Sequence, residues 1–593
     1  MCGICGELRF DGQAPLRETL EAMTGRLARR GPDASGFYSA GPLALGHRRL
    51  AVIDLSERSN QPMVDEALGL VLVFNGTIYN YPELREQLIE KGYQFFSGGD
   101  SEVILKAYAE WGEDCPKHLH GMFAFAIWDT ARQSLFLARD RFGIKPLYYS
   151  FDSACLRFAS TSQALLAGGD VNTSIDPVAL HHHFSLHAVV PAPRTLLRGI
   201  RKLQPAHSMT IAADGHNRVQ RYWQLDLSRS YPEMSEWEWI EATHDALRKA
   251  VERRRAIADV PVGILLSGGL DSSLLVAMLA EAGGGDLLTF SVGFEDEPEE
   301  QGNEFLYSDM VADLYSTQHH RFTIPNEEVL ARLPEAVDNM AEPMVGQDTI
   351  AFYLLGERVS REVKVVQSGQ GADEVFAGYF WYQQMLAARG SDVERFSGCY
   401  FDRSHDEWLQ MITPACHGPD YTSPRVAHGL SAFSGDDFVN RVLALDVTTL
   451  IVDDPVKRVD NMTMAWGLEA RVPFLDQELV ELVACMPAQI KLKSGGKHPL
   501  KVIARDLLPD VVIDRPKAYF PVPALKFVRG QTLEFMRDVL ESKACHERGL
   551  FQRDYVQKML DNPDSVHTPI NGNKLWHLAL LEFWLQRNVD IPA

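Results

Sequence analysis

The stretch Val260-Pro261-Val262-Gly263-Ile264-Leu265-Leu266-Ser267-Gly268-Gly269-Leu270-Asp271-Ser272-Ser273 joins an apolar run to a serine- and glycine-rich turn and then to a new apolar run. Residues 260–266 are short and apolar throughout, which predicts a strand buried on both faces. Residues 272–280 predict the first turns of a helix. A turn of this composition between a strand and a helix is a phosphate-binding context. Glycines admit phosphate oxygens close to backbone N–H groups, the helix N-terminus adds positive potential, and the serine hydroxyls of Ser267 and Ser272 are donors. Asp271 offers the hard oxygen ligand that Mg2+ takes. The turn is not a Walker A loop, because the Gly496-Lys497 pair is followed by His498 rather than Ser or Thr.

Outward from this loop, the chain after Trp239 alternates helical stretches with apolar runs at 260–266, 287–293 and 363–368. That alternation predicts a parallel sheet flanked by helices. Residues 43–165 follow another pattern, with short apolar runs at 70–74, 121–128, 134–138 and 147–150 separated by turn signals. They predict stacked antiparallel sheets, with helices over 81–91 and 101–112. Prolines 191, 193 and 205 and the polar stretch 212–238, broken by a strand-like run at 222–227, mark a junction. The expected division is 1–205, a junction at 206–238, and 239–593; a chain of 593 residues exceeds what one core usually organises.

A net charge of −22 opposes association with nucleic acid or an anionic membrane and favours small-molecule substrates. No apolar run is long enough to span a bilayer, and no signal segment is read at the N-terminus. Eight cysteines scattered without a CxxC pair suit reduced thiols in the cytoplasm. Cys2 and Cys5 lack a second Cys/His pair, so they are not read as half a zinc site. The triplet His181-His182-His183 is read as part of an amphipathic helix rather than as a metal site.

A cysteine directly after Met1 carries a second chemistry. Methionine is commonly removed before a small residue, which leaves the Cys2 thiol beside its own α-amino group. That amine titrates near pH ~8 and can serve as the base for the thiol. Attack on a glutamine side-chain amide then needs two oxyanion donors, for which Asn75 and Gly76 are candidates.

Five segments, Cys2-Gly3-Ile4-Cys5-Gly6, Arg30-Gly31-Pro32-Asp33, His47-Arg48-Arg49-Leu50, Asn75-Gly76-Thr77-Ile78-Tyr79-Asn80 and Asp140-Arg141-Phe142-Gly143-Ile144-Lys145-Pro146-Leu147, closely resemble class II glutamine amidotransferase domains. The resemblance implies an Ntn-hydrolase-type αββα sandwich with Cys2 as nucleophile and Asn75 and Gly76 as the oxyanion hole. It further implies Arg49 on the glutamine α-carboxylate and Asp100 on its α-amino group. Many relatives have Asn-Gly-Glu where this chain has Asn75-Gly76-Thr77, so weaker glutamine binding or a compensating residue is expected.

The loop 267–273, with Ser368-Gly369-Gln370-Gly371-Ala372-Asp373-Glu374, Gly467-Leu468-Glu469-Ala470-Arg471-Val472-Pro473-Phe474-Leu475-Asp476 and Arg515-Pro516-Lys517, resembles the synthetase domain of asparagine synthetases. That likeness implies a doubly wound parallel α/β ATP-pyrophosphatase domain that adenylates a carboxylate. It places ATP at Leu265, Ser267, Gly268, Gly269, Asp271, Ser272, Val292, Ser368, Gly369 and Lys517, Mg2+ at Asp271 and Asp373, and a charge-neutralising role at Lys497. Ammonia would travel between the domains through a protein-lined passage. Gln370 stands at the acceptor site where the familiar bacterial synthetases carry Glu. With Thr77 and a long C-terminal extension, it makes the chain look most like N-acetylglutaminylglutamine amidotransferases, which amidate a capped dipeptide to form an osmolyte. Aspartate is the alternative acceptor, and a catalytically silent nucleotide-binding regulator the alternative of another class. The expected partners are glutamine, ATP and a carboxylate, with a homodimer left open.

Overall fold

Period-two alternation builds the N-terminal half. In strand Leu70–Ile78, Val71 and Val73 point to one face and Leu72 and Phe74 to the other, and both faces are buried. Val71 and Val73 meet Ile4 and Leu8 of strand Gly3–Arg9 in an apolar layer between two six-stranded antiparallel sheets. Leu72 and Phe74 pack outward on helices Tyr81–Glu90 and Asp100–Trp111 through Leu84, Leu88, Val103 and Ile104. On the opposite outer face, Cys5 packs with Leu20 and Met23 of helix Arg17–Arg26. The layering is therefore helix, sheet, sheet, helix. The computed structural model describes residues 2–590 apart from 230, 232, 284, 297–300, 436, 516–521 and 565–566.

Within the stretch read as a junction, strands His207–Ala212 and Asn217–Arg221 extend the second sheet to its edge. Residues 222–227, expected as strand-like, lie outside the sheets. Their apolar side chains bridge two cores instead of pairing: Tyr222 packs on the helical layer of the sandwich and Leu225 in the core of the C-terminal half.

The C-terminal half holds a five-stranded parallel sheet in the spatial order Gln318–Ile324, Leu288–Phe294, Val262–Leu265, Val365–Gln367, Glu469–Arg471. Ile264 and Leu266 pack among helices Glu236–Ala256 and Leu270–Glu281, while Leu265, Phe290 and Val292 pack toward helices Asn326–Asp338 and Asp348–Val359. Helices on both faces make the sheet doubly wound. Strand order reverses between Val262–Leu265 and Val365–Gln367, and a ligand crevice forms beyond the carboxyl ends of strands at such a switch point. Those ends run into Ser267 and Ser368.

The helix Pro177–Ser185 forms as expected, but it is not amphipathic. His181, His182 and His183 are all buried, because residues on both sides of the helix are covered by other elements. His181 and His182 share Thr422 Oγ1 at 2.6 and 3.0 Å. The C-terminal helix Lys574–Asn588 belongs to the main core, and its Trp584 indole donates to the Met340 carbonyl at 2.7 Å. Among the described residues, no helix is long and apolar enough to cross a membrane.

Candidate functional site

Cys2 is buried at the start of the first strand, and its backbone N–H donates to Asn75 Oδ1 at 3.0 Å. That contact turns the other end of the amide, Nδ2, into a buried donor with no partner among the described residues. A buried donor left open in this way costs about 1–3 kcal/mol unless a ligand takes it. Residue 76 must be glycine, since a Cβ there would overlap the Met122 carbonyl oxygen. Burial pushes the Cys2 thiol above its ordinary value, against the lowering effects of a backbone hydrogen bond at Leu50 and the charge of Arg49.

Arg49 is buried, and its guanidinium donates to Ser56 O and Asn60 Oδ1, both at 2.8 Å, and to the Asp54 carbonyl. It therefore shapes the 53–60 loop beside Cys2. Asp100 opens its helix and accepts from the Ile78 N–H at 3.0 Å; burial raises its carboxyl to about 6. Cys2, Arg49, Asn75, Gly76 and Asp100 thus share one neighbourhood, the residues that the resemblance to class II glutamine amidotransferases groups together.

An acid that was not singled out from the sequence completes this neighbourhood. Thr77 Oγ1 donates to Glu469 Oε1 at 3.1 Å, across 392 residues and from one domain to the other. A carboxylate thus stands beside Thr77, and it comes from the C-terminal half. Glu469 is fully buried, and burial alone would raise its carboxyl. Nearby positive charge, including Arg471 and Lys145, outweighs that and holds it at about 2. Arg30 and Lys145 of the first domain both pair with Asp460 of the second, at 3.0 and 3.1 Å. Buried pairs of this kind cost about 3–5 kcal/mol to break by removing one partner, so they lock the two domains in register. Glu469 stands in a quoted motif, but only the folded chain shows that it faces Thr77.

Strand Glu469–Arg471 also reaches the second centre, since the Arg471 carbonyl accepts from the Ser368 N–H at 2.8 Å. There the loop 267–273 folds on itself: Ser267 N–H donates to Ser272 Oγ at 3.2 Å, and Gly269 N–H to Ser267 Oγ at 3.4 Å. Lys497 Nζ lies 2.7 Å from Asp271 and 2.8 Å from Asp373, so both carboxylates converge on one cation. These two acids raise the Lys497 ammonium above its ordinary value despite burial, which opposes the shift. A pair of convergent carboxylates is a donor set that suits a hard divalent cation. Leu265, Ser267, Gly269, Asp271, Ser272, Val292, Ser368, Gly369, Gln370, Asp373 and Lys497 all line one cavity of about 1220 Å³. Gly268 sits in the same loop but is not part of that lining, and Lys517 lies outside the described residues.

An N-terminal sandwich with a buried cysteine beside a free amide donor, joined to a doubly wound domain with a serine- and glycine-rich loop at its switch point, is the architecture of a two-domain glutamine amidotransferase coupled to a nucleotide-using ligase. Residues 1–223 match the family description "Glutamine amidotransferase domain", and residues 242–586 match "Asparagine synthase". The chain is 30% identical to asparagine synthetase [glutamine-hydrolyzing] 3 of Bacillus subtilis, covering 100% of both chains. It is 33% identical to a putative asparagine synthetase [glutamine-hydrolyzing] of Mycobacterium tuberculosis, covering 94% of this chain and 91% of that one. The chain belongs to the asparagine synthase family and is an ATP-dependent, glutamine-hydrolysing amide ligase.

Proposed function

We propose that the protein amidates the carboxylate of a capped dipeptide, N-acetylglutaminylglutamine, with ammonia released at Cys2. The α-amino group freed by removal of Met1 takes the thiol proton, and the sulfur attacks the glutamine amide carbon. Asn75 Nδ2 and the Gly76 N–H hold the oxyanion; collapse expels ammonia and leaves a γ-glutamyl thioester, which water hydrolyses to glutamate. Arg49 and Asp100 grip the α-carboxylate and α-ammonium of glutamine. In the second centre the acceptor carboxylate attacks the ATP α-phosphorus and displaces pyrophosphate. Ammonia then attacks the acyl carbon and displaces AMP. The loop 267–273 cradles the phosphates with Lys517, Ser368 and Gly369 border the adenosine, and Lys497 neutralises phosphate charge. Asp271 and Asp373 would hold Mg2+, which supplies charge neutralisation on the leaving pyrophosphate.

The observation that carries the acceptor reading is Gln370, a neutral amide on the cavity wall where an acid stands in the familiar synthetases. A second reading, aspartate as acceptor, is favoured by the names of the relatives. Pyrophosphate release measured with ATP, ammonium and each carboxylate in turn separates them. Release with the capped dipeptide and little with aspartate is expected; the reverse order defeats the dipeptide reading.

The Asp100 carboxyl, at about 6, gives a pH signature. It must be ionised to hold the glutamine ammonium, so protonation removes the contact as pH falls through about 6. The KM for glutamine is expected to rise below that pH in the wild type and to stay flat in Asp100→Asn, where it is high throughout. Equal pH profiles for the two would remove Asp100 from the glutamine site.

A further inference from the structure

His187, Asp402 and His577 come from three separate parts of the chain and meet beside the cavity, whose wall includes both histidines. One nitrogen or oxygen of each lies within 4.8 Å of the other two, and among the described residues no other three His, Cys, Asp or Glu side chains are so gathered. Asp402 Oδ2 lies 3.2 Å from His187 Nδ1 and 3.3 Å from His577 Nδ1. Those separations stand at or past the long end for an N–H···O hydrogen bond. They match the edge, ~3.3 Å, of a tetrahedron whose nitrogen and oxygen corners are ~2.0–2.1 Å from a central zinc ion.

The three groups are held in place by the fold. Asp402 is fully buried, and its backbone N–H donates to the Ser185 carbonyl at 3.0 Å, which fixes it against the end of helix Pro177–Ser185. Its other carboxylate oxygen, Oδ1, is buried with no partner among the described residues. Two imidazoles on Oδ2 alone would leave that acceptor open, whereas an ion reached by both oxygens answers it. His187 is held at φ 52° and Ala188 at φ 63°, a left-handed pair without glycine, and such backbone persists only where its surroundings impose it. Charge suits a cation too. Asp402, Asp348 and Asp454 surround His187 with Arg458 among them, and beside His577 stand Arg403 and Lys574, the latter paired with Glu407 at 2.7 Å. Together these are four acids against three cations.

We propose that His187 Nδ1, His577 Nδ1 and the Asp402 carboxylate bind a zinc ion that pins helix Lys574–Asn588 to the loop after helix Pro177–Ser185. Imidazole nitrogens select zinc over the Mg2+ expected at Asp271 and Asp373, which takes oxygen ligands. Each neutral ring keeps its proton on Nε2 while Nδ1 bonds the ion, and nothing is oxidised or reduced. The role is structural: the ion fixes one wall of the cavity and takes no part in the ammonia or phosphate chemistry.

The test uses the full-length chain without an affinity tag, stripped with EDTA and then given Co2+ or Zn2+. Cobalt is expected to bind at one equivalent per chain with the intense visible absorption of a tetrahedral ion. The band persists in Asp271→Ala, which separates this site from the phosphate centre, and is lost in His577→Gln and in Asp402→Asn. Zinc at a hundredfold excess over its Kd is expected to raise the Tm of the wild type by about 3–5 °C and to leave that of His577→Gln unmoved. Should a ligand variant fail to fold, the cobalt band and stoichiometry of the wild type decide alone. A wild-type chain that takes up no tetrahedral cobalt, or a band that survives in folded His577→Gln and Asp402→Asn, overturns the proposal and leaves Asp402 as a hydrogen-bond acceptor for the two rings.

Discussion

Replacing Cys2 with alanine is expected to lower glutamine hydrolysis and glutamine-dependent synthesis by at least ~10³-fold, while synthesis from added ammonium continues at the wild-type rate. Losing a nucleophile removes a whole reaction path rather than one stabilising contact, which is why the effect is so large. The spared half follows from geometry. Cys2 belongs to the sandwich, whereas the cavity proposed to take ATP is lined by the C-terminal domain apart from His187. Alanine also fits the site, since the thiol is buried and a smaller side chain displaces nothing. Amide product formed from glutamine and from ammonium, measured separately, checks the division. Loss of the ammonium reaction in the variant would show that the two centres do not divide the work as proposed.

The mirror-image variant, Asp271→Ala, is expected to cut synthesis from both nitrogen sources by roughly 10³-fold, because metal-assisted charge neutralisation contributes several kcal/mol to such a step. Glutamine hydrolysis should survive. Asp271 is a better choice than Lys497 for this test. Removing Lys497 would leave Asp271 and Asp373 facing each other without the cation between them, a buried-charge defect of about 3–5 kcal/mol that could unfold the site. Removing Asp271 leaves the Lys497–Asp373 pair intact at 2.8 Å. Synthesis that persists in Asp271→Ala would take this residue out of the metal and phosphate site.

The two variants together also bear on how the centres communicate. Strand Glu469–Arg471 touches Thr77 at one end and Ser368 at the other, so one short element of the second domain borders both centres. The ion pairs of Asp460 with Arg30 and Lys145 hold that arrangement in register.

Both centres were legible in the sequence wherever the chemistry is local. The strand, glycine turn and helix of residues 260–280 follow one another along the chain, and so do Asn75 and Gly76. Backbone geometry alone dictates what such neighbours can do. The sheets were legible for the same reason, because period-two burial and the alternation of strand with helix are properties of short windows. The amphipathic reading of Pro177–Ser185 failed where a short window is least informative, since a helix covered on all sides carries no polar face to detect. Tertiary structure alone decided the rest. Glu469 reaches Thr77 across 392 residues, and Asp402 reaches His187 across 215. No periodicity links such partners, and their meeting depends on how the two domains pack; the segment past residue 530, read as an extension, lies within the asparagine-synthase match up to residue 586. The sequence by itself pointed to a glutamine amidotransferase half followed by an asparagine-synthase half, the two matches found at residues 1–223 and 242–586. Only the folded chain decided which acid stands beside Thr77 and which distant residues share one cavity with Ser267 and Ser368.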